Sequence, residues 1–482
     1  MGLDALGSTT TASNNVAIGV NALRVNTTGT GNVAVGRNAL EQNSTGGSNT
    51  AVGYGALYAN TDGTANTAFG YECGENITSG NYNTAVGYQN LNLTTTGTGN
   101  VAIGIHAMRA TTTGNYNVGI GYTAVENVSS GVHNIGIGMG TLDAVTTNGQ
   151  NTAVGAFALG NTTISQTTAF GYSALGAHTT GLYNTAVGTF ALDAVTTGQY
   201  NTAVGYQAGT NATGSGNTFV GLNAGRDQSS AGNNTYVGWD AGLRTTTGGS
   251  NVVVGRGAAL NGTTFDTSVI IGDDAGSSIT TAGNNVLIGR SAGDDITTGG
   301  QNVVIGKLCD GGGTGVVGRV VLGYSATGAT NNSITVGYGS SDSALQFGNT
   351  GWYTPSDERL KEDIQDETIG LAFINDLRPR TFRWKKRKDV PEELSWKYKE
   401  EDLEERLMNG KYNHGFVAQE VKATIDNHDL KDGFGFWMED DTEGKQQRVG
   451  DSELIPILVK SIQELSTTVD ELKAEIQTLK GE

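Results

Sequence analysis

Asn32-Val33-Ala34-Val35-Gly36 recurs as Asn49-Thr50-Ala51-Val52-Gly53, and again as Asn66-Thr67-Ala68-Phe69-Gly70. The closing glycine falls at 19, 36, 53, 70, 87, 104, 121, 138 and 155, always 17 apart. It continues at 171, 188, 205, 221, 238, 255, 272, 289, 306 and 323 with two single-residue deletions, and a shorter step to Gly337 completes twenty copies. In nearly every copy Val, Ile or Phe precedes the glycine, and Thr, Val or Ile stands two residues earlier. Alternation with period two predicts a strand with one buried face. The polar stretch after each motif, often ending Thr-Thr-Gly, predicts a turn in which glycine supplies a positive φ.

A unit this short cannot bury its own apolar face and must stack on its copies. The expected fold is therefore mainly β: a parallel β-solenoid with one coil per repeat. Twenty coils at about 4.8 Å each give a rod on the order of 95 Å long. Sixteen of the twenty copies begin with Asn, from Asn15 to Asn302. Stacked in register, these residues predict an amide ladder. Ala usually occupies the third position after the glycine, where the coil is tight. Cys73 and Cys309 share that slot and are read as small core residues.

Tyr54, Tyr71, Tyr88, Tyr122, Tyr172, Tyr206 and Tyr324 all follow the motif glycine, so they fall at one angular position on the rod. A thin coil of Ala, Val and Gly is a poor core by itself, so a packing stripe between parallel rods is the first reading. An aromatic surface for sugars is the second. Asp273-Asp274 and Asp294-Asp295 are candidate cation pairs, but the calcium-binding pattern Gly-Gly-x-Gly-x-Asp does not repeat. No metal or cofactor is expected.

The pattern changes after Ile364. Glu367–Asp376 predicts a helix, Arg380–Lys385 a strand, Trp396–Met408 a charged helix, His414–Val421 a strand running into a helix, and Gly433–Met438 a short strand. Ile455, Leu458, Ile462, Leu465, Val469, Leu472, Ile476 and Leu479 are spaced 3-4-3-4-3-4-3, a heptad seam. Ser452 is its expected N-cap, and Pro456 is tolerated in the first turn. Ile or Val at one seam position with Leu at the other favours two strands.

Composition divides the chain at the same place. Residues 1–355 hold 17 acids, 9 bases and 66 of the 74 glycines, whereas residues 356–482 hold 30 acids and 20 bases. The formal net charge of −18 offers no basic field for duplex DNA or an anionic membrane. The basic run Arg378–Lys388 is short and reads as a solvated edge strand or loop. Met1-Gly2-Leu3-Asp4 lacks a charged n-region and an apolar h-region, and no run of 18 apolar residues occurs. Two cysteines make no disulfide framework. His106, His133 and His178 lie in the repeats and are expected at the surface.

At the junction stands Tyr353-Thr354-Pro355-Ser356-Asp357-Glu358-Arg359-Leu360-Lys361. A serine hydroxyl needs a base, and a lysine whose pKa is lowered by burial can serve. Ser356 and Lys361 form such a pair. Spacing alone favours the plainer reading, in which Ser356 caps a helix starting at Asp357-Glu358 and Lys361 is solvated. On a regular helix residues i and i+5 lie about 140° apart and cannot meet. For a dyad, either Ser356 stands outside the helix or the lysine comes from a neighbouring chain.

Two resemblances bear on function. The Asn-Thr-Ala-Val-Gly-Tyr-x-Ala-Leu unit, over residues 3–340, resembles the head repeats of trimeric autotransporter adhesins and the shafts of some phage tail fibres. In those heads three left-handed β-rolls pack side by side. Ser356-Asp357-Glu358-Arg359-Leu360-Lys361-Glu362-Asp363-Ile364 resembles the opening of the endosialidase-type intramolecular chaperone domain of phage tail spikes and fibres. Leu377–Trp384, Gly415–Val421 and Glu453–Leu458 match further along that domain. The resemblance implies a trimerising chaperone that templates the upstream fibre and then cuts itself off. It also implies that Ser356 is the nucleophile, Lys361 the base and Pro355-Ser356 the scissile bond.

The expected organisation is a solenoid shaft over 1–340, a linker over 341–355, a chaperone domain over 356–450 and a heptad helix over 451–482. The expected function is a homotrimeric phage tail fibre or spike shaft on the virion, attaching to a host-surface receptor and to other tail proteins. A glycan-degrading tailspike enzyme and a cell-surface trimeric adhesin are the alternatives. Twenty near-identical coils can slip register by a whole repeat at little local cost, and a globular trimer at one end would pin that register.

Overall fold

The computed structural model describes residues 2–339, 341–347, 358, 361–391, 404, 406, 411–430, 435–439, 445, 447–450 and 453–481. The chain divides into two compact units, Met1–Pro355 and Ser356–Glu482.

The first unit is the parallel β-solenoid that the repeat implies. Each motif forms one short strand, from Val16–Ile18 to Ser333–Tyr338. Each strand pairs in parallel with the next, with equivalent residues aligned: Val33 with Thr50, Ala34 with Ala51, Val35 with Val52. Both deletions keep this register, since Thr152 pairs with Thr168 and Thr202 with Thr218. The missing residue is therefore taken from the turn. The motif glycine is obligatory for two reasons. Gly36 has φ +139°, and a Cβ there would stand 2.2 Å from the Gly53 carbonyl oxygen.

The asparagine ladder is present. The Asn49 N–H donates to Asn32 Oδ1 at 2.9 Å, and Asn49 Nδ2 donates to the Gly63 carbonyl at 2.8 Å. Ser268 keeps the ladder going, because its Oγ accepts the Asn285 N–H at 3.1 Å.

The face that turns inward is not the β-branched one. The middle strand residue is buried (Ala34, Ala51, Ala68), while Ile18, Phe69 and Ile103 point out and are 52, 57 and 37% exposed. Alternation alone does not say which parity faces in. The bend at the glycine and the left-handed residues after it, such as Asn38 (φ 63°) and Leu40 (φ 51°), decide it. They swing Ala39 and Leu40 under the strand, and both are fully buried. Cys73 and Cys309 are buried as expected.

His178 is a correction. It is fully buried, not at the surface, because it occupies the inward column seven residues after the motif glycine that Asn26, Asn43 and Asn60 line in earlier coils. The candidate cation pairs have protein partners. Arg256 binds Asp273 and Asp274 at 2.8 and 3.1 Å, and Asp295 accepts the N–H groups of Gly311, Gly312 and Gly313. Ser341–Gln346, inside the stretch read as linker, forms a strand antiparallel to Ser333–Tyr338.

The second unit is a small α+β fold. Helix α1 (Leu371–Asp376) starts later than Glu367 because the Glu367 carboxylate takes the Ile369 N–H at 2.7 Å, holding that stretch out of the helix. Strand Arg380–Phe382 pairs antiparallel with Asn413–Gly415, which leads into helix α2 (Ala418–Asn427). Trp437–Glu439 pairs with Gln447–Val449. Helix α3 (Leu454–Leu479) carries the heptad. Phe373, Leu377, Val421, Ile425, Phe436, Leu454 and Ile457 form the core. The expected cap Ser452 lies outside the described residues, as does most of the helix expected over 396–408. Within that range Arg406 forms an antiparallel bridge to Lys386, which is strand-like. Among the described residues, no helix is long and apolar enough to cross a membrane.

Candidate autoproteolytic site

Pro355 and Ser356, the expected scissile pair, lie outside the described residues. Lys361 is described and exposed, and its backbone N–H donates to the Glu358 carbonyl at 3.1 Å. Residues 361–370 contain no helix, and the expected cap Ser356 and most of the turn after it lie outside the described residues. Glu362 and Asp363 are also exposed beside Lys361, and Asp363 takes a left-handed backbone (φ 54°). That kink separates the lysine from the chain leading into α1.

The framework behind this segment is well tied. The α1 N-terminus receives a carboxylate from α3: the Leu371 N–H donates to Glu464 Oε2 at 2.8 Å. This satisfies one of the first-turn donors that a helix leaves open, and it places negative charge at the positive end of the dipole. Arg380 Nε donates to Glu420 Oε2 at 2.8 Å. That hydrogen bond holds the Glu420 carboxyl below the usual carboxylate range. Arg380 and Glu420 come from two separated stretches that resemble the chaperone domain, and strand pairing of Thr381 with His414 brings the stretches together. The basic run is therefore not simply solvated: Lys386 also binds Glu404 at 2.7 Å.

Along α3, Ile455, Leu458, Ile462, Leu465, Val469, Leu472, Ile476 and Leu479 are all exposed, whereas Leu454, Ile457 and Ser461 face the unit's own core. The helix thus has two apolar faces, and the heptad one is uncovered by the described residues.

Residues 356–430 match the family described as the chaperone of endosialidase. The match begins at Ser356, the residue read as the nucleophile, and ends before α3. It covers both the Arg380 strand and the Glu420 helix. No curated protein matches the sequence. A solenoid of twenty parallel strands followed by a chaperone-of-endosialidase domain fits a tail fibre that carries its own assembly domain. Sequence reasoning singled out the motifs but missed the Arg380–Glu420 ion pair and the Glu464 cap, because neither partner's spacing announces the contact.

Proposed function

We propose that the chain is the protomer of a homotrimeric phage tail fibre or spike that serves in host attachment. In this reading the protein is assembled in the host cytoplasm and carried on the virion. Its C-terminal unit aligns three chains, templates the rods and then cleaves the Pro355–Ser356 bond.

The observation that carries the reading is an uncovered apolar column. The residue before the motif glycine is Val, Ile, Phe or Leu in all twenty copies, and it points outward. Covering a half-exposed Val or Ile contributes on the order of 1 kcal/mol, hence on the order of 20 kcal/mol along one rod. That exceeds the roughly 4–15 kcal/mol lost in translational and rotational freedom on association. A surface of this extent marks an interface. The exposed heptad of α3 is a second such surface on the other unit, and the match of residues 356–430 to the chaperone of endosialidase supports three chains rather than two.

Cleavage needs only this chain and water. Ser356 Oγ attacks the Pro355 carbonyl carbon while Lys361, which is exposed in the single chain and must be buried by assembly to act as a base, takes the hydroxyl proton. The carbon–nitrogen bond breaks, and the proton passes to the Ser356 nitrogen. Water then hydrolyses the resulting ester, leaving a Pro355 carboxylate and a new amino terminus at Ser356.

Mass measurement of the purified assembly, native and denatured, tests both parts. The expected result is a trimeric rod with a separate fragment beginning at Ser356, and a full-length trimer for Ser356→Ala. A monomer at micromolar concentration would overturn the assembly reading. Intact chains in a well-formed trimer would overturn the cleavage reading.

A further inference from the structure

On the flank of the rod, between Tyr122 and Ala177, a groove of about 470 Å³ opens. Its origin is visible in the repeat. The fifth position after the motif glycine carries Arg109, Glu126 and Asp143 in successive coils, then Gly160 and Gly176 in the next two. Gly160 lies in the first of the two 16-residue coils. Two missing side chains and one shortened turn leave a floor of backbone.

The walls are of two kinds. On one side stand Tyr122, Met139 and Phe157, which are 54, 42 and 42% exposed. On the other stand Asp143 and Asn161. Both polar groups are held in place: Asn127 Nδ2 donates to Asp143 Oδ1 at 3.0 Å, and Asn161 Nδ2 donates to the Gly176 carbonyl at 2.8 Å. Exposed rings facing fixed carboxylate and amide acceptors suit a molecule with apolar C–H faces and hydroxyl donors at its edges. Sugar C–H groups carry slight positive charge and lie well on the negative face of an aromatic ring. Asp143 can accept two hydroxyl hydrogen bonds, and such charge-assisted bonds are about twice as strong as neutral ones. No lysine or arginine lines the groove, and Asp143 is the charged group in its lining, so acidic sugars and phosphates are disfavoured. The groove crosses three coil steps, about 14 Å, which fits a short oligosaccharide.

We propose that this groove is a binding site for a neutral oligosaccharide. It rests on the attachment reading and takes the second reading of the tyrosine column, with the Tyr122 flank facing solvent in the assembled trimer; cleavage does not enter it.

The test uses the full chain as assembled, applied to arrayed neutral and acidic oligosaccharides and then titrated with the tightest neutral binder. Phe157→Ala is expected to weaken binding at least tenfold. Gly160→Gln restores a side chain at the fifth position, where a Cβ meets nothing closer than 3.4 Å, and is expected to abolish binding with an unchanged melting temperature. Tyr324→Ala, in the tyrosine column but far from the groove, should bind as the parent does. Retention of no neutral glycan, preference for acidic ones, or undiminished binding by Gly160→Gln would each overturn the proposal. The oligomeric mass and the Ser356 fragment, read on the same sample, report separately on assembly and cleavage.

Discussion

The ring of Phe219 fills the space that a side chain at Gly225 would need: a Cβ on Gly225 would stand 2.3 Å from Phe219 Cε1. The two positions flank the same motif glycine, Gly221. Two coils earlier the equivalent pair is Ala186 and Leu192, both fully buried. The core is thus filled from the left-handed turn in the early coils and from the strand in the later ones. Gly225→Leu alone is expected to cost about 3 kcal/mol from overpacking, and Phe219→Ala about 3–5 kcal/mol from the cavity. Together they recreate the Ala–Leu arrangement, so the double variant should be at least about 2 kcal/mol less destabilised than the sum. Urea melts of the four proteins measure this coupling, and additive losses would contradict the exchange.

The ladder gives a second expectation. Asn117 Oδ1 accepts the Asn134 N–H at 2.9 Å, and Asn117 Nδ2 donates to the Gly131 carbonyl at 2.8 Å. Asn117→Ala leaves both buried groups unpaired and should cost about 2–4 kcal/mol. Asn117→Ser should cost less, because Ser268 already fills this role in a later coil. Thermal melts of both variants check the order.

His178 predicts a pH dependence. Asn184 Oδ1 is occupied by the Asn201 N–H at 2.9 Å, so Asn184 presents Nδ2, and His178 Nε2 accepts it at 3.1 Å. His178 Nδ1–H then donates to Thr162 Oγ1 at 2.8 Å. Burial of the neutral ring pushes its pKa from 6.5 down to about 4. The unfolded chain binds more protons in that window. The stability is therefore full above pH 6.5 and declines as pH falls to 4, by on the order of 3 kcal/mol. His178→Gln should flatten this slope, since Gln228 makes the matching contacts in the same column, to Ala231 and Asn234. Chemical melts from pH 4 to pH 7 read it directly.

Asp310 acts in the opposite sense. Burial, reinforced by Asp295 and Asp294, raises its carboxyl from 3.8 to about 7. Here the folded state binds more protons, so the contribution is full below pH 3.8 and lost as pH rises through 7. Asp310→Asn should stabilise the C-terminal coils at pH 8 by on the order of 1 kcal/mol, after discounting for solvent screening. It should change nothing at acid pH. Hydrogen exchange of residues 303–325 separates this local effect from that of His178.

The two faces of α3 make a paired comparison. Ile457 is 1% exposed in the core of its own unit, and Leu465 is 50% exposed on the heptad face. Ile457→Asp should unfold the C-terminal unit. Leu465→Asp should leave the unit's circular dichroism intact while reducing the trimer, as read by light scattering.

Most of the rod was legible in the sequence because every coil repeats the same local problem, so period, register and ladder followed from spacing. The inward parity did not follow. It depends on left-handed turns at residues such as Leu40 and Leu192, and a leucine gives no local sign of that conformation. His178 was misplaced for a related reason: its column reads Asn26, Asn43 and Asn60 early on, and polar residues there look solvent-facing until the coil is closed. The groove was missed because it is made of absent atoms at Gly160 and Gly176. In the C-terminal unit, motif order identified the domain, but Arg380 with Glu420 and Leu371 with Glu464 are joined only by tertiary folding.

The strand Ser341–Gln346 closes one end of a stack that would otherwise invite growth. A parallel strand at the end of a solenoid presents a full row of unpaired backbone groups, a template for another rod. By running antiparallel along Ser333–Tyr338, this short segment presents the wrong direction to any incoming parallel coil, and it carries Asp342 within it. The same coils that add to one another so readily within the chain thereby meet a short, charged strand of opposite direction, which disfavours the addition of a further coil at that edge.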